Sequence, residues 1–509
     1  MKQFILKPIL FITLCFAYVA GYSQQKGADM PIEKAILKEK DNYYYVDFKR
    51  YSKVSSSLPV GVFDSGTGGL TVLEAILNYD GNNNEKKEPG ADSKPDFINE
   101  KFIYLADQAN MPYGNYYATG KSDLLIEHII KDAQFLLSDK YYANDTATNY
   151  STGKQQVKTL VIACNTATAY GKKYIEDFME KTGINIKIIG VIDAGARGAL
   201  ELFDKTEDGS IGVMATVGTI ASKGYANTLI DFKNKLGYSG DIQIYNQGGY
   251  GIAEAVDEEP DFIDRKATAL RDSYRGPSLD NAEYRIDKSL MDIYNFDFDH
   301  QKMLCDSKNT DDCSALQLNS ADNYVRYHLV SMMEKIRKTP NAKPLKVILL
   351  GCTHYPYLTE DINRVLAELY DYQKNGQHIY RPFMAEKIHL VDPAVNVAAE
   401  LYAFLKEQDL LNEQKVSGGS EFYITVPNRD NPNVKTDAQN YFPYDYKYGR
   451  NAGEIQEYVK VVPFSKSNIS TETLDRLRKG IPSAYNLIVA FGKSNPKLAG
   501  LHSSVKILE

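Results

Sequence analysis

Two cysteines carry the chemistry available to this sequence. Cys164 closes the apolar run Leu160-Val161-Ile162-Ala163, and Cys352 closes Val347-Ile348-Leu349-Leu350-Gly351. Asn165 and Thr166 follow the first, and Thr353 and His354 the second. An apolar strand that stops at such a residue and passes into a helix delivers its side chain to the carboxyl edge of a parallel sheet. There the free N–H groups and the dipole of the helix stabilise an anion, so each cysteine can act as base or nucleophile. The amide, hydroxyl and imidazole neighbours suit a carboxylate ligand. A third stretch of the same form, Val60-Gly-Val-Phe-Asp64-Ser65-Gly66-Thr67-Gly68-Gly69, contributes Asp64, which can orient a thiol or hold an ammonium group. Two opposed thiols fit a symmetric proton transfer, in which one base removes an acidic C–H proton from one face while an acid delivers another to the opposite face. No lysine in these strands has a Schiff-base context, so a cofactor-free mechanism is the simpler reading, and no metal is expected.

Each reading has a rival. A cysteine ending a buried strand is also an ordinary small core residue; the repeated context with polar followers argues for chemistry. The loop at 63–69 resembles a dinucleotide cradle, but Gly66-Thr67-Gly68-Gly69-Leu70-Thr71 lacks the last glycine of that fingerprint, and no Gly-Lys-Ser/Thr follows. It also reads as a plain turn in which Asp64 caps the next helix.

The surrounding sequence supplies elements to hold these residues. Strand-like runs at Val60–Phe63, Phe102–Asp107, Val157–Cys164, Asn185–Asp193, Ser210–Thr216, Asp241–Asn246, Leu345–Cys352 and Lys387–Asp392 alternate with stretches of helical apolar spacing. Among the latter are Leu70–Leu77, Ser122–Leu137, which opens on an N-cap serine, and Thr166–Lys181. Such alternation specifies an α/β fold with doubly wound parallel sheets. Polar insertions interrupt it at 78–96, 140–154 and 257–321. A weak echo relates Val60–Gly68 to Ile211–Thr219, and Leu160–Thr166 to the run around Cys352, so two halves would each place a cysteine on one wall of a cleft. Residues 24–58 read as an extended arm. Beyond residue 409 the strand-like runs EFYITV and NLIVAF and the helical ETLDRLRK suggest a small accessory unit.

At 509 residues the chain exceeds one ordinary core. Its 43% hydrophobic and 25% charged residues are those of a folded protein, and a net charge of -7 without a dense Lys/Arg run argues against nucleic acid as a partner. Lys2 and Lys7 flank an apolar run, Pro8–Gly21, that exits through small residues near Ser23. This reads as a secretory signal peptide over 1–23, which predicts export to the periplasm and no membrane association after cleavage. In an oxidising compartment Cys305 and Cys313, eight positions apart in a polar insertion, are expected to pair.

The segments VGVFDSGTGGLTVL, YLADQANMPYGN, LVIACNTATA, IGVMATVGTIASKGY and VILLGCTHYPYL together resemble glutamate racemase, of the cofactor-independent aspartate/glutamate racemase superfamily. The resemblance spans Pro59 to about Leu405. It implies two pseudo-symmetric α/β domains, one of 59–188 with about 387–408 and one of 189–386, with the active site between them and 409–509 as an extension. It further implies that Cys164 and Cys352 are the catalytic acid/base pair, that Asp64 and His354 assist them, and that Asp64, Ser65, Tyr113, Gly114, Asn165, Thr166, Thr353 and His354 contact a small amino-acid substrate. Thr216 and Thr219 add a polar loop near the cleft. A homodimer is left open. The chain departs from the family's pattern at QGGYGIAEAVDEE, where the usual glutamate falls on Asp257. Cytoplasmic members supply D-glutamate to peptidoglycan precursors of the cell wall; an exported one would act on exogenous amino acids.

Overall fold

Short runs of aliphatic residues buried on both faces make the strands, as a parallel sheet covered by helices requires. The computed structural model describes residues 29–51, 53–256, 258–259, 261–307, 309, 312–414 and 419–509; the expected signal segment and Asp257 lie outside them. The strands are β1 (Val60–Asp64), β2 (Phe102–Ala106), β3 (Thr159–Ile162), β4 (Lys187–Gly190), β5 (Gly209–Ala215), β6 (Ile242–Gly248), β7 (Met303–Cys305), β8 (Leu316–Leu318), β9 (Leu345–Gly351), β10 (Gln373–Lys374), β11 (Gln377–His378), β12 (Met384–Val391), β13 (Glu421–Pro427) and β14 (Val459–Pro463). The helices are α1 (Pro31–Lys38), α2 (Leu70–Leu77), α3 (Gly114–Ala118), α4 (Ser122–Leu137), α5 (Asn165–Thr182), α6 (Val191–Leu200), α7 (Val217–Ala221), α8 (Gly224–Lys235), α9 (Ile252–Val256), α10 (Met291–Tyr294), α11 (Ala321–Lys338), α12 (Thr359–Asp371), α13 (Pro393–Glu407), α14 (Tyr444–Gly449), α15 (Thr471–Gly480) and α16 (Pro482–Ser494).

The first sheet runs β14-β13-β2-β1-β3-β4 and the second β12-β9-β5-β6. In the first, Val60 stands opposite both Phe102 and Thr159 in parallel register. The chain leaves β1 toward β2 on one side and later returns to β3 on the other, so strand order reverses there. In the second sheet β5 pairs in parallel with β6 on one side and with β9 on the other, bringing Ala215 opposite Gly351. Each sheet therefore has a switch point, and in an open α/β sheet the crevice at the carboxyl ends of the strands beside that point binds ligands. Cys164 follows β3 and Cys352 follows β9.

Four expectations need correction. The strand at Lys387–Asp392 belongs to the second sheet, because β12 pairs in parallel with β9; the return to the first half is made by α13, which packs against both α6 and α2. The arm is not simply extended: Pro31 opens α1, the Met30 N–H donates to Glu33 Oε2 at 2.8 Å, and Ile32, Ala35 and Ile36 are fully buried. The segment after residue 409 is not a separate unit. β13 pairs in parallel with β2, and β14 adds antiparallel to β13, so two strands extend the first sheet. NLIVAF is helical, within α16, where Ala484, Ile488 and Phe491 are buried at helical spacing and the Glu74 carboxylate accepts the Ser483 and Ala484 N–H groups at 3.2 and 2.7 Å. The insertion after α9 packs against α11 through Phe262, Ile293 and Tyr294, and its β7–β8 hairpin carries a Cys305–Cys313 disulfide. Among the described residues no helix is long and apolar enough to cross a membrane.

Candidate active site

The first wall is built where β1 and β3 end. Cys164 is the N-cap of α5, and its Sγ accepts the Ala167 N–H at 3.4 Å. Its thiol points at Ser65 Oγ, 3.7 Å away. Asp64, 5% exposed, accepts the Gly69 N–H at 2.6 Å, the closure that sets the loop before α2. A methyl group at Gly69 would stand 2.5 Å from Asp64 Cβ, so only glycine fits. Burial pushes the Asp64 carboxyl up, while the Gly69 and Ser65 N–H groups, the Cys164 thiol and the charge of His354 hold it down. Burial also pushes the Cys164 thiol up, and the Asp64 charge adds to it. Both effects favour the thiol form, against the thiolate that its place at a helix start favours.

The second wall is the turn after β9. Cys352 Sγ lies 3.6 Å from His354 Nδ1. Both cysteines are 6% exposed. The two walls meet at Gly68: a methyl group there would be 2.8 Å from Thr353 Oγ1, 3.3 Å from His354 Cε1 and 3.6 Å from Asp64 Oδ2. They meet again through Tyr225, whose hydroxyl donates to Asn165 Oδ1 at 2.5 Å while its ring covers Gly351. Thr166 Oγ1 is 3.4 Å from Thr219 Oγ1, which accepts from Thr216 Oγ1 at 2.9 Å. Asp64, Ser65, Cys164, Asn165 and Thr166 of one half and Thr353 and His354 of the other therefore gather around one cleft. Tyr225 was not foreseen as a bridge; its only signal was its place at the end of IASKGY.

Tyr113 and Gly114 part company. The Tyr113 ring is buried, with its hydroxyl 2.6 Å from Asp107 Oδ2 and 2.7 Å from Asp132 Oδ2. That side chain is engaged in the core. Gly114 faces Gly218 closely enough that a methyl group on Gly218 would stand 2.9 Å from Gly114 Cα. The Cys305, Asp306 and Cys313 side chains form a cluster of metal-ligand type, but its two sulfurs are bonded to each other.

The fold and site define a two-lobed α/β protein with one thiol presented from each lobe at a strand-to-helix turn. No family model matches the chain. A glutamate racemase of Chlorobaculum tepidum is 34% identical over 184 residues, 36% of this chain and 52% of that relative, so the match spans about half the relative's length. A glutamate racemase of Thermoanaerobacter pseudethanolicus is 26% identical over 370 residues, 72% of this chain and 88% of the relative. Among solved structures, a glutamate racemase isoform of Bacillus anthracis is matched at 20% identity and a TM-score of 0.42, over 72% of this chain and 88% of that one. The chain is similar to the glutamate racemases of the aspartate/glutamate racemase superfamily, whose shared name marks them as isomerases.

Proposed function

We propose that the protein is an amino-acid racemase of the glutamate racemase type, working by two-base proton transfer between Cys164 and Cys352. The observation that carries this reading is the placement of the two thiols at the switch points of two sheets whose loops close on each other, with Asp64 and His354 beside them. The amino acid sits between the walls. In one direction the sulfur of one wall, as thiolate, takes the α-proton as the Cα–H bond breaks. The thiol of the other wall gives its proton to the opposite face of the carbanion, and the roles reverse for the return reaction. Burial and the Asp64 charge, which push the Cys164 thiol up, suit it to the donor's part. Ser65, Gly114, Asn165, Thr166 and Thr353 supply polar groups for the substrate carboxylates, and Asp64 for its ammonium group.

Glutamate is the substrate we favour, with aspartate next. Export is part of the proposal: the N-terminal apolar run motivates it, and the disulfide in the insertion supports an oxidising compartment. The test is proton NMR in deuterium oxide with L-glutamate and, separately, L-aspartate. Loss of the α-proton signal, abolished by Cys164→Ser and by Cys352→Ser, is expected. Wild-type rates in either variant would rule out the two-base mechanism, and exchange with neither amino acid would turn the reading toward another substrate or an amino-acid-binding protein.

A further inference from the structure

The loop Asp107–Tyr116 carries Gly114 to the cleft, and its own backbone bonds are few and long. Asn110 N–H reaches Asp107 O at 3.2 Å, Met111 N–H reaches Gln108 O at 3.3 Å, and Pro112 has no N–H to give. Asn110 Nδ2 donates to both Asp107 carboxylate oxygens, at 2.9 and 3.0 Å, and Tyr113 Oη lies 2.6 Å from one of them; further side-chain bonds come from the C-terminal segment. Thr425 Oγ1 donates to Asp107 Oδ1 at 2.8 Å and accepts the Ala109 N–H at 2.9 Å. Arg450 Nη2 donates to Asn110 Oδ1 at 2.8 Å, Lys447 Nζ to the Met111 carbonyl at 2.5 Å, and Tyr448 Oη to the Pro112 carbonyl at 3.2 Å. The Tyr448 ring meets Tyr116 edge-on with centroids 4.8 Å apart. Every residue from Asp107 to Pro112 except Gln108 thus shares a hydrogen bond with this one segment. The segment also reaches the other wall, because Gly480 lies against the ring of Tyr357, three residues beyond His354.

We infer that Thr425, Lys447, Tyr448 and Arg450 are positioning residues for the Gly114 loop, so that the segment after residue 409 is the outer support of the active site. They touch no substrate themselves; they act by holding Gly114 at its distance from the second half. The inference rests on the racemase reading for its kinetic consequence, but its structural part does not. A chain without this segment would need other donors for the Met111 and Pro112 carbonyls, and the buried Asp107 carboxylate would keep only its donors from Asn110 and Tyr113.

The test is the double variant Lys447→Met/Tyr448→Phe, which removes two donors and keeps the apolar volume, with Thr425→Val as an independent second. The expected result is a rise of about tenfold in KM with kcat within about twofold, as loss of two net-favourable hydrogen bonds to a binding loop implies. Amide exchange should quicken at 107–118 and stay unchanged elsewhere, and Lys447→Arg should restore most of the wild-type KM. A KM within twofold of wild type in both variants overturns the inference, as does a loss of activity with protection falling throughout the molecule. If the wild-type protein exchanges no amino-acid α-proton, the racemase reading is what has failed. Amide exchange then decides alone: loosening confined to 107–118 supports the clamp, and unchanged protection there removes it.

Discussion

A phenol has one proton to give, yet Tyr113 Oη lies within hydrogen-bond distance of two buried carboxylates, at 2.6 Å from Asp107 and 2.7 Å from Asp132. One of those contacts must come from a carboxylic acid. Burial, and then the charge of Asp107, push the Asp132 carboxyl well above its ordinary range. Burial raises the Asp107 carboxyl too, but donors from Tyr113, Asn110 and Thr425 oppose it. This favours the proton on Asp132, donating to Tyr113 Oη, with the phenol donating to Asp107. A carboxyl whose folded pKa exceeds its unfolded value takes up a proton on folding. Its contribution is greatest below the unfolded carboxylate range, about 4, and is lost as pH rises toward the folded pKa. Asp132→Asn keeps a donor toward Tyr113 without a titration, so we expect melting temperatures equal to wild type near pH 4 and higher by a few degrees at pH 7 to 8. A thermal series across that range decides it: an equal fall at both ends would mean that Asp132 is ionised in the folded protein.

At the scale of elements, α16 shows why the C-terminal segment cannot be peeled away. Ile488 is fully buried among residues of the first half's core, and its truncation to alanine should cost about 2–4 kcal/mol. Because β13 is paired to β2, that loss should move one cooperative transition, with far-ultraviolet circular dichroism and tyrosine fluorescence coincident. A separate early transition would show instead that the segment folds by itself. The same elements mark what could be read in advance. Leu70–Leu77 and Ser122–Leu137 form over the ranges their apolar spacing predicts, since a 3.6-residue period is a local property. Even there, Ser122 lies inside α4 and Lys121 takes the cap position without a side-chain bond. The strand ends at Asp64, Cys164 and Cys352 were legible because each is a change from apolar to polar within a few residues. The sheet that β12 joins was not, because strand pairing depends on residues far away in sequence. NLIVAF misled because five consecutive apolar residues have no period, and only burial on α2 and the Glu74 cap decide for a helix. Tyr225 and Asp132 became part of the site's support through contacts that no spacing encodes.

The whole molecule is two sheets joined by the packing of α13 on α2 and α6, with small residues meeting around two nearly covered thiols. Because Cys164 and Cys352 are each 6% exposed, the racemase reading requires the halves to part for an amino acid to reach them, and the contacts between them would set how readily they do. Two glycines stand at those contacts, and they differ in what an added methyl group would meet. At Gly68 the nearest atom is Thr353 Oγ1 at 2.8 Å, the end of a side chain that can rotate. At Gly218 it is Gly114 Cα at 2.9 Å, with the Gly114 carbonyl oxygen at 3.2 Å, backbone that can yield only if a whole loop shifts. Gly218→Ala should therefore hold the lobes apart, while Gly68→Ala is absorbed by a rotamer change. For Gly218→Ala we expect iodoacetamide to label Cys164 and Cys352 several times faster than in wild type. We also expect racemisation to fall about tenfold and the melting temperature to drop by no more than a few degrees. Gly68→Ala should lie between this variant and wild type on both scales. Equal labelling rates in all three proteins would show that the cleft opens by a movement that leaves the Gly114–Gly218 contact intact.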